Sequence, residues 1–315
     1  MAKVRFAEFT LALSIALAAQ AAQAISINDG AGSDRAVELG RPFTSVAKIS
    51  FGGSSCTGSL ISSTFVLTAD HCIADDQNVA DIELRFTDED GANPVTRGAS
   101  SFQRFSDTVP APGDPDAPIG EIGPDLGLLS GFDLALIELA TPLEDRDPIG
   151  LFSGDPFDLE ATFVGYGATG LGSVGQTGGA DDTRRAATNV TDFAVTIDGQ
   201  LVPNLFAADF DDAGDNDGDD GLPDEGGVLF GDSGGPVLLQ TPSDWLLFGV
   251  ATAVASTNDD VKFGGFGSFS IWTGIATPEA LAFVTNGTGA QVVPLPPALA
   301  LLIGGLGALA AVGRR

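Results

Sequence analysis

Short apolar runs separated by turn residues make up most of this chain. Its 315 residues include 42 glycines and 18 prolines, and many brief runs of Val, Ile, Leu and Phe end at clusters of Gly, Pro, Asn, Asp or Ser. Such runs, bounded by turn residues, are typical of β-strands. Helical periodicity is scarce between the two ends. The pattern therefore predicts an all-β protein with long loops.

The first 24 residues have the pattern of an export signal. Two basic residues precede an uncharged run, Phe9 to Ala19, and Ala22-Gln23-Ala24 is a small-x-small site of the kind that signal peptidase cuts. Residues 1–24 are therefore predicted to be a signal peptide, with signal peptidase as a processing partner. The mature chain is predicted to begin at Ile25.

Residues 288–315 have the pattern of a membrane-spanning tail. Val292 to Gly313 carries no charged residue and precedes Arg314-Arg315, which favours a transmembrane helix with cytoplasmic arginines over a buried core helix. The segment from Val293 to Pro297, the apolar run and the arginine pair resemble the VPLPA/PEP-CTERM sorting signals of Gram-negative bacteria. The resemblance implies export to the cell surface or extracellular space, transient anchoring by this helix, and an exosortase as a further processing partner.

The charge balance restricts the partners. With 14 basic against 43 acidic residues, the formal net charge is −29, which makes nucleic acid an unsuitable partner. Acidic residues concentrate in residues 209–225, where the run from Asp215 to Glu225 resembles the DxDxDG calcium loops of extracellular repeats with one extra residue before the Gly. Carboxylates on a turn suit a hard cation. We expect either a structural calcium site or a solvated acidic loop there, and no cofactor for chemistry.

The chain contains only two cysteines, Cys56 and Cys72, and its only histidine, His71, lies beside the second. If the protein is exported, an oxidising compartment permits one disulfide between them. Two buried thiols are the alternative.

Three segments carry candidate catalytic chemistry. The segment Leu67-Thr68-Ala69-Asp70-His71-Cys72 contains the histidine. In the apolar run from Phe132 to Leu139, Asp133 is an acid that would be costly to bury without a partner. The third segment is Gly231-Asp232-Ser233-Gly234-Gly235-Pro236. Together they resemble the TAxHC, DIAL and GDSGGP motifs of the trypsin-like serine peptidases, in the same chain order, and the resemblance extends over roughly residues 27–287.

Weaker matches support this resemblance. Cys56 to Ile61 is similar to the family's CGGSLI strand, the cysteine spacing fits the disulfide that brackets the histidine, and Phe163 to Gly167 is similar to its GWG turn. Thr277 to Val284, with a cap residue and Pro at the first helical position, is similar to its C-terminal helix.

The resemblance implies a peptidase domain over residues 25–287 built from two antiparallel six-stranded β-barrels and a short C-terminal helix. The barrels would span about residues 27–143 and 144–287, followed by the transmembrane sorting helix.

The resemblance also implies a serine endopeptidase that hydrolyses protein or peptide substrates through an acyl-enzyme. A serine hydroxyl needs a base within hydrogen-bond reach. His71 would take the proton of Ser233, and Asp133 would hold the imidazole in the donor tautomer and stabilise the imidazolium. The backbone N–H groups of Gly231 and Ser233 would converge on the oxyanion.

In this family the carboxylate at Asp232 pairs with a newly freed α-amino group near the mature start. Ile27, which opens a degenerate IVGG-like segment 44 residues before His71, is slightly favoured as the source of the amine. Ile25 is the other candidate, and signal-peptide cleavage would expose its amine directly, without a separate zymogen cleavage.

Three positions are implied to line the primary substrate pocket. Gly227, six residues before Ser233, stands where trypsin-like enzymes carry Asp. Aligning Gly249 to Val254 on the family's G-I-V-S-W-G strand adds Thr252 and places Val254 where Gly is usual. We expect cleavage after small or medium apolar residues rather than after Arg or Lys.

Two other classes of function fit parts of the sequence. One is a catalytically inactive member of the same fold that acts as a surface binding or adhesion module. The other is a structural protein of the extracellular matrix, which the sorting tail and the acidic loop suggest. The three candidate catalytic residues favour the peptidase over both.

Overall fold

The structure is a computed structural model. It describes residues 5–9, 25–108, 131–180, 182–197, 200–212, 221–256 and 260–293, and of these only the backbone for residues 5–9, 197 and 200. The strands are, in chain order, β1 (Arg5–Phe9), β2 (Ser26–Ile27), β3 (Val46–Phe51), β4 (Ser55–Leu60), β5 (Phe65–Thr68), β6 (Ile82–Phe86), β7 (Val95–Arg104), β8 (Ala135–Leu139), β9 (Gly150–Leu151), β10 (Glu160–Gly165), β11 (Gly170–Leu171), β12 (Gly175–Gln176), β13 (Arg185–Val190), β14 (Phe193–Ile197), β15 (Gln200–Asp209), β16 (Gly226–Gly227), β17 (Pro236–Gln240), β18 (Trp245–Ser256) and β19 (Ser268–Gly274). The α-helices of the described residues are α1 (Ser33–Gly40) and α2 (Pro278–Thr285).

The first half of the fold is a closed barrel of six antiparallel strands. They pair in the order β3-β4-β5-β8-β7-β6, and β6 returns to β3. In β6 the alternate residues Ile82, Leu84 and Phe86 are buried while Glu83 is exposed, as expected of a strand with one face on a core. The prediction of an all-β protein with a six-stranded first barrel is therefore confirmed.

The second half is built on a nine-stranded sheet. Its strands follow the order β1-β14-β15-β19-β18-β17-β10-β13, with β9 added in parallel beside β18. The strand β1, which lies within the predicted signal peptide, pairs in parallel with β14. The ladders recorded for the described residues form an open path from β1 to β13, so a closed second barrel stays a prediction.

The predicted C-terminal helix is present as α2. The Thr277 hydroxyl accepts a hydrogen bond from the Ala280 N–H at 3.3 Å, and Pro278 occupies the first turn. Both features satisfy or remove N–H groups that a helix start leaves unpaired. No helix within the described ranges is long and apolar enough to cross a membrane. The predicted transmembrane tail lies almost wholly in residues 294–315, outside those ranges.

One of the three hydrophobic clusters of the described residues spans both halves, and Thr57 joins them at the site. Its N–H donates to the Ser233 carbonyl oxygen at 2.8 Å, and its hydroxyl donates to the Gly231 carbonyl oxygen at 3.0 Å. The same hydroxyl accepts from the Tyr166 N–H at 3.0 Å. A β4 residue of the barrel thus fixes the loop that carries Ser233.

Candidate active site

His71 and Asp133 meet at one end of the barrel. His71 lies in a one-turn 3₁₀-helix, Asp70–Cys72, directly after β5, and Asp133 lies just before β8, the neighbour of β5. The Asp133 carboxylate accepts from His71 twice, from the ring Nδ1 at 2.8 Å and from the backbone N–H at 2.9 Å. Asp133 is 2% exposed, whereas the His71 side chain is 28% exposed. Asp133 therefore has the hydrogen-bonding partner that its burial requires. Part of the His71 imidazole remains accessible.

Two carboxylates control the charge of this imidazole. Partial burial of the ring lowers the pKa of His71, but the negative charge of Asp133, the hydrogen bond to it and the charge of Asp70 outweigh burial, so the pKa lies above its ordinary value of 6.5. Burial also raises the pKa of Asp70, although Ser106 opposes the rise by donating its N–H at 3.0 Å and its hydroxyl at 2.7 Å. Sequence reasoning did not single out Asp70, although it lies beside His71.

Ser233 lies in the turn between β16 and β17, against β4 and the 3₁₀-helix that carries His71. Its carbonyl oxygen lies 3.8 Å from the Cys72 sulfur, and Cys72 is bonded to Cys56 as predicted. A Cβ on Gly234 would lie 2.1 Å from the Thr68 hydroxyl oxygen, so only glycine allows this close approach. Among the described residues no hydrogen bond joins the Ser233 hydroxyl to His71.

Two N–H groups beside the Ser233 hydroxyl have no acceptor. Within the described part of the chain, the N–H groups of Gly231 and Ser233 donate no hydrogen bond, while those of Asp232, Gly234 and Gly235 are all bonded to backbone carbonyls. Gly231 has φ +91°, a conformation that favours glycine. The turn thus leaves free the two donors that the sequence assigned to an oxyanion site.

Asp232 is fully buried and held by backbone donors. Its carboxylate accepts from the N–H of Gly167 at 2.8 Å, of Leu229 at 2.8 Å and of Ile25 at 2.9 Å. Burial raises the pKa of this carboxyl to about 7, although these hydrogen bonds lower it. The positive charge of Arg185 lowers it as well, and an ammonium group in place of the Ile25 N–H would add a directly bonded charged partner.

The nitrogen at Asp232 belongs to Ile25, so the structure does not support the preference for Ile27. Ile27 lies in β2, where it pairs with Gly226 of β16 and Leu171 of β11. Ile25 is 1% exposed and has φ +60°, which is strained for a β-branched residue. The φ angle of Ile25 is defined by the peptide bond to Ala24, so this strain exists only while that bond is intact.

Two of the three predicted pocket residues, Gly227 and Val254, both adjoin Ser270. Val254 of β18 lies opposite Ser270 of β19, and a Cβ on Gly227 would lie 2.7 Å from the Ser270 hydroxyl oxygen. That hydroxyl accepts from the Val228 N–H at 3.0 Å. Sequence reasoning missed Ser270, which no motif marks. Thr252 is 3% exposed, and its hydroxyl lies 3.1 Å from that of Thr273.

The predicted calcium loop lies partly outside the described residues, which exclude residues 213–220. At its described end, the Glu225 carboxylate accepts from the N–H groups of Asp211 at 2.7 Å and Leu222 at 2.5 Å. Burial raises the pKa of Glu225 to about 7. Within the described ranges no cluster of His, Cys, Asp and Glu side chains could hold a metal ion. Calcium binding stays a prediction, which a melting temperature independent of added calcium would contradict.

The comparison with known families agrees with this geometry. The family model described as Trypsin matches residues 32–271, which is more than half of the chain and includes His71, Asp133 and Ser233. A search of curated proteins found no match. The match supports a serine peptidase-like function in general, and the chain belongs to the trypsin family.

Proposed function

We propose that this protein is an exported serine endopeptidase that cleaves peptide bonds through an acyl-enzyme on Ser233. One observation carries the proposal: the N–H groups of Gly231 and Ser233, which have no acceptor among the described residues, lie on the same turn as the Ser233 hydroxyl, and this turn is docked on β4 and on the 3₁₀-helix that carries His71, the partner of Asp133. Free backbone donors beside a hydroxyl are the arrangement that stabilises a tetrahedral oxyanion.

In the proposed reaction, His71 Nε2 accepts the Ser233 hydroxyl proton as Oγ bonds to the substrate carbonyl carbon. The carbonyl oxygen takes up negative charge and is bound by the two free N–H groups. His71 then donates the proton to the leaving amine as the C–N bond breaks. A water molecule, deprotonated by His71 in the same way, hydrolyses the ester and restores Ser233. Asp133 keeps its hydrogen bond to His71 Nδ1 throughout and stabilises the imidazolium.

The proposed preference is for small or medium apolar residues at the cleaved bond. Gly227 supplies no carboxylate to pair with Arg or Lys, while Val254 and Ser270 add side-chain volume beside it. A pocket with no charge at its floor would leave a buried substrate cation unpaired.

The amine of Ile25 is the proposed activating group. Cleavage after Ala24 would convert the Ile25 N–H at Asp232 into an ammonium group and remove the bond that fixes the strained φ. The ion pair would hold the turn between Asp232 and Ser233 in place. Removal of the predicted signal peptide would then be the activating step, and the proposal includes export, the sorting tail and the three-part division at residues 24 and 287.

Turnover of fluorogenic peptides tests the proposal. Protein starting at Ile25 should cleave after Ala or Val in preference to Arg, and Ser233→Ala and His71→Ala should each abolish turnover. Exposed Glu83→Gln on β6 is the matched control and should retain it. A folded wild-type protein that cleaves no peptide would support the inactive binding module instead, and a preference for Arg would overturn the proposed specificity.

A further inference from the structure

Two exposed phenylalanine rings stack on each other near the candidate site. The rings of Phe230 and Phe263 lie 4.5 Å apart between centroids at an interplanar angle of 16°, and they are 50% and 40% exposed. Exposed aromatic side chains that form a patch usually mark a binding surface, because water contact with them is unfavourable. Each ring covers one face of the other, and each residue still keeps a large exposed fraction.

The loops that carry the two rings are continuous with the strands that carry the predicted pocket residues. Phe230 is three residues after Gly227 and three before Ser233. Phe263 lies in the loop between β18, which contains Val254, and β19, which contains Ser270. The stack therefore bridges the two chain segments that supply the pocket walls, and one of its rings adjoins the oxyanion turn.

The backbone beneath both rings is firmly held. The Phe230 carbonyl oxygen accepts from the Ala168 N–H at 2.8 Å, and the Phe263 carbonyl oxygen accepts from the Gln176 N–H at 3.0 Å. A Cβ on Gly264 would lie 2.0 Å from a methyl carbon of buried Leu229, so the two loops also touch directly. Rings held on a fixed backbone lose little conformational freedom when a ligand covers them.

We infer that Phe230 and Phe263 form an aromatic platform that binds an apolar side chain of the polypeptide substrate next to the residue held in the pocket. The inference rests on the proposed function of Ser233 and adds a second determinant of specificity to the small pocket. A substrate that uses both determinants would carry a small residue at the cleaved bond and a larger apolar residue beside it.

The test measures binding, so that it does not depend on turnover. In Ser233→Ala protein, fluorescence anisotropy compares two labelled peptides that share an Ala at the expected cleavage position and carry either Leu or Gly on both sides of it. The Leu peptide should bind about tenfold more tightly. Phe230→Ala and Phe263→Ala should each remove most of that preference, and Phe230→Leu should keep part of it. Leu201→Ala, a 54% exposed apolar residue on β15, is the matched control and should change nothing.

Several outcomes overturn the inference. The first is an unchanged preference for the Leu peptide in both Phe→Ala variants. The second is a loss of self-association of these variants in sedimentation while peptide binding stays intact, because the stack would then be a contact between two copies. Wild-type protein that shows the preference but hydrolyses neither peptide would contradict the peptidase proposal and leave the platform standing. Circular dichroism of each variant establishes that it is folded.

Discussion

Single carboxylates at the site differ in the partners that compensate their burial. Asp133 accepts from the ring and the backbone of His71, whereas Asp232 accepts from three backbone N–H groups and has a pKa of about 7. Asp70 is partly buried and held by Ser106. Because a buried charge is stabilised only by the groups it contacts, each carboxylate has a distinct expected effect on activity.

Replacing Asp133 by Asn should lower kcat by about four orders of magnitude. Asn keeps the shape but removes the charge that orients and stabilises the imidazolium. The measurement is steady-state hydrolysis of an apolar peptide. Because the residues are proposed to act as a unit, Asp133→Asn combined with Ser233→Ala should be no slower than Ser233→Ala alone. Full activity in Asp133→Asn would contradict the assigned role.

Replacing Asp70 by Asn should move the acid limb of kcat/KM to lower pH by about half a unit. His71 must be neutral to accept a proton, so activity rises as pH passes its pKa, and loss of the nearby negative charge lowers that pKa. The groups that raise the pKa of His71 are Asp133 and Asp70, and Arg104 acts on Asp70 with opposite charge. Glu83→Gln should leave the limb in place, and an upward shift in Asp70→Asn would be inconsistent with this electrostatic role.

At the scale of elements, short strands and a cross-link hold the segments of the candidate site. The two-residue strand β2 lies between β16 and β11, which places the Ile25 nitrogen at Asp232. The disulfide ties β4 to the 3₁₀-helix that carries His71. Because each of these elements is small, a change at one or two residues should reveal its separate effect on activity or stability.

The α-amine of Ile25 should stabilise the protein increasingly as pH rises. In a chain that begins at Ala24, Asp232 faces an amide, and its folded pKa of about 7 exceeds the ordinary 3.8. Between these values the folded state holds a proton that the unfolded state has lost, so stability falls with rising pH, by at most about 1.4 kcal/mol per unit from this group. In a chain that begins at Ile25, the ammonium group favours the charged carboxylate and removes this loss.

The two chains to be compared differ only in whether they begin at Ala24 or at Ile25. Glu225, whose pKa is also raised to about 7, is common to both chains and cancels in the difference. Melting temperatures between pH 5 and 7.5 should diverge, and the Ile25 chain should also turn over peptides at least about tenfold faster. Parallel melting curves with equal activity would argue against the proposed activation.

Removing the disulfide by Cys56→Ala with Cys72→Ala should lower the free energy of unfolding by about 3 kcal/mol, as expected for a loop of 16 residues. Urea denaturation followed by tryptophan fluorescence measures it. A reducing agent should bring the wild-type value down to that of the variant and leave the variant unchanged. A wild-type protein insensitive to reduction would show that the loop is held by other contacts.

At the scale of the whole molecule, what the sequence predicted came mainly from the motifs that resemble those of the trypsin family. The His71–Asp133 contact, which joins residues 62 positions apart, the disulfide and the glycines around Ser233 follow from that resemblance, whereas α2 follows from its own cap residue and proline. Neither Ser270 nor the choice of Ile25 over Ile27 could be predicted from the motifs, because both depend on strand register between distant segments. The second half also contains short pairings that no motif marked, such as that of β9 with β18, which lies in the interior of the sheet between β19 and β17.

The central claim is that Ser233 is an activated nucleophile in a chain that begins at Ile25. Mass spectrometry of the exported protein after fluorophosphonate treatment tests it most directly, because one spectrum reports the N-terminus and the site of any adduct. We predict a chain that begins at Ile25 with a single adduct on Ser233, and no adduct in His71→Ala. Correctly trimmed and folded protein without an adduct would contradict the account.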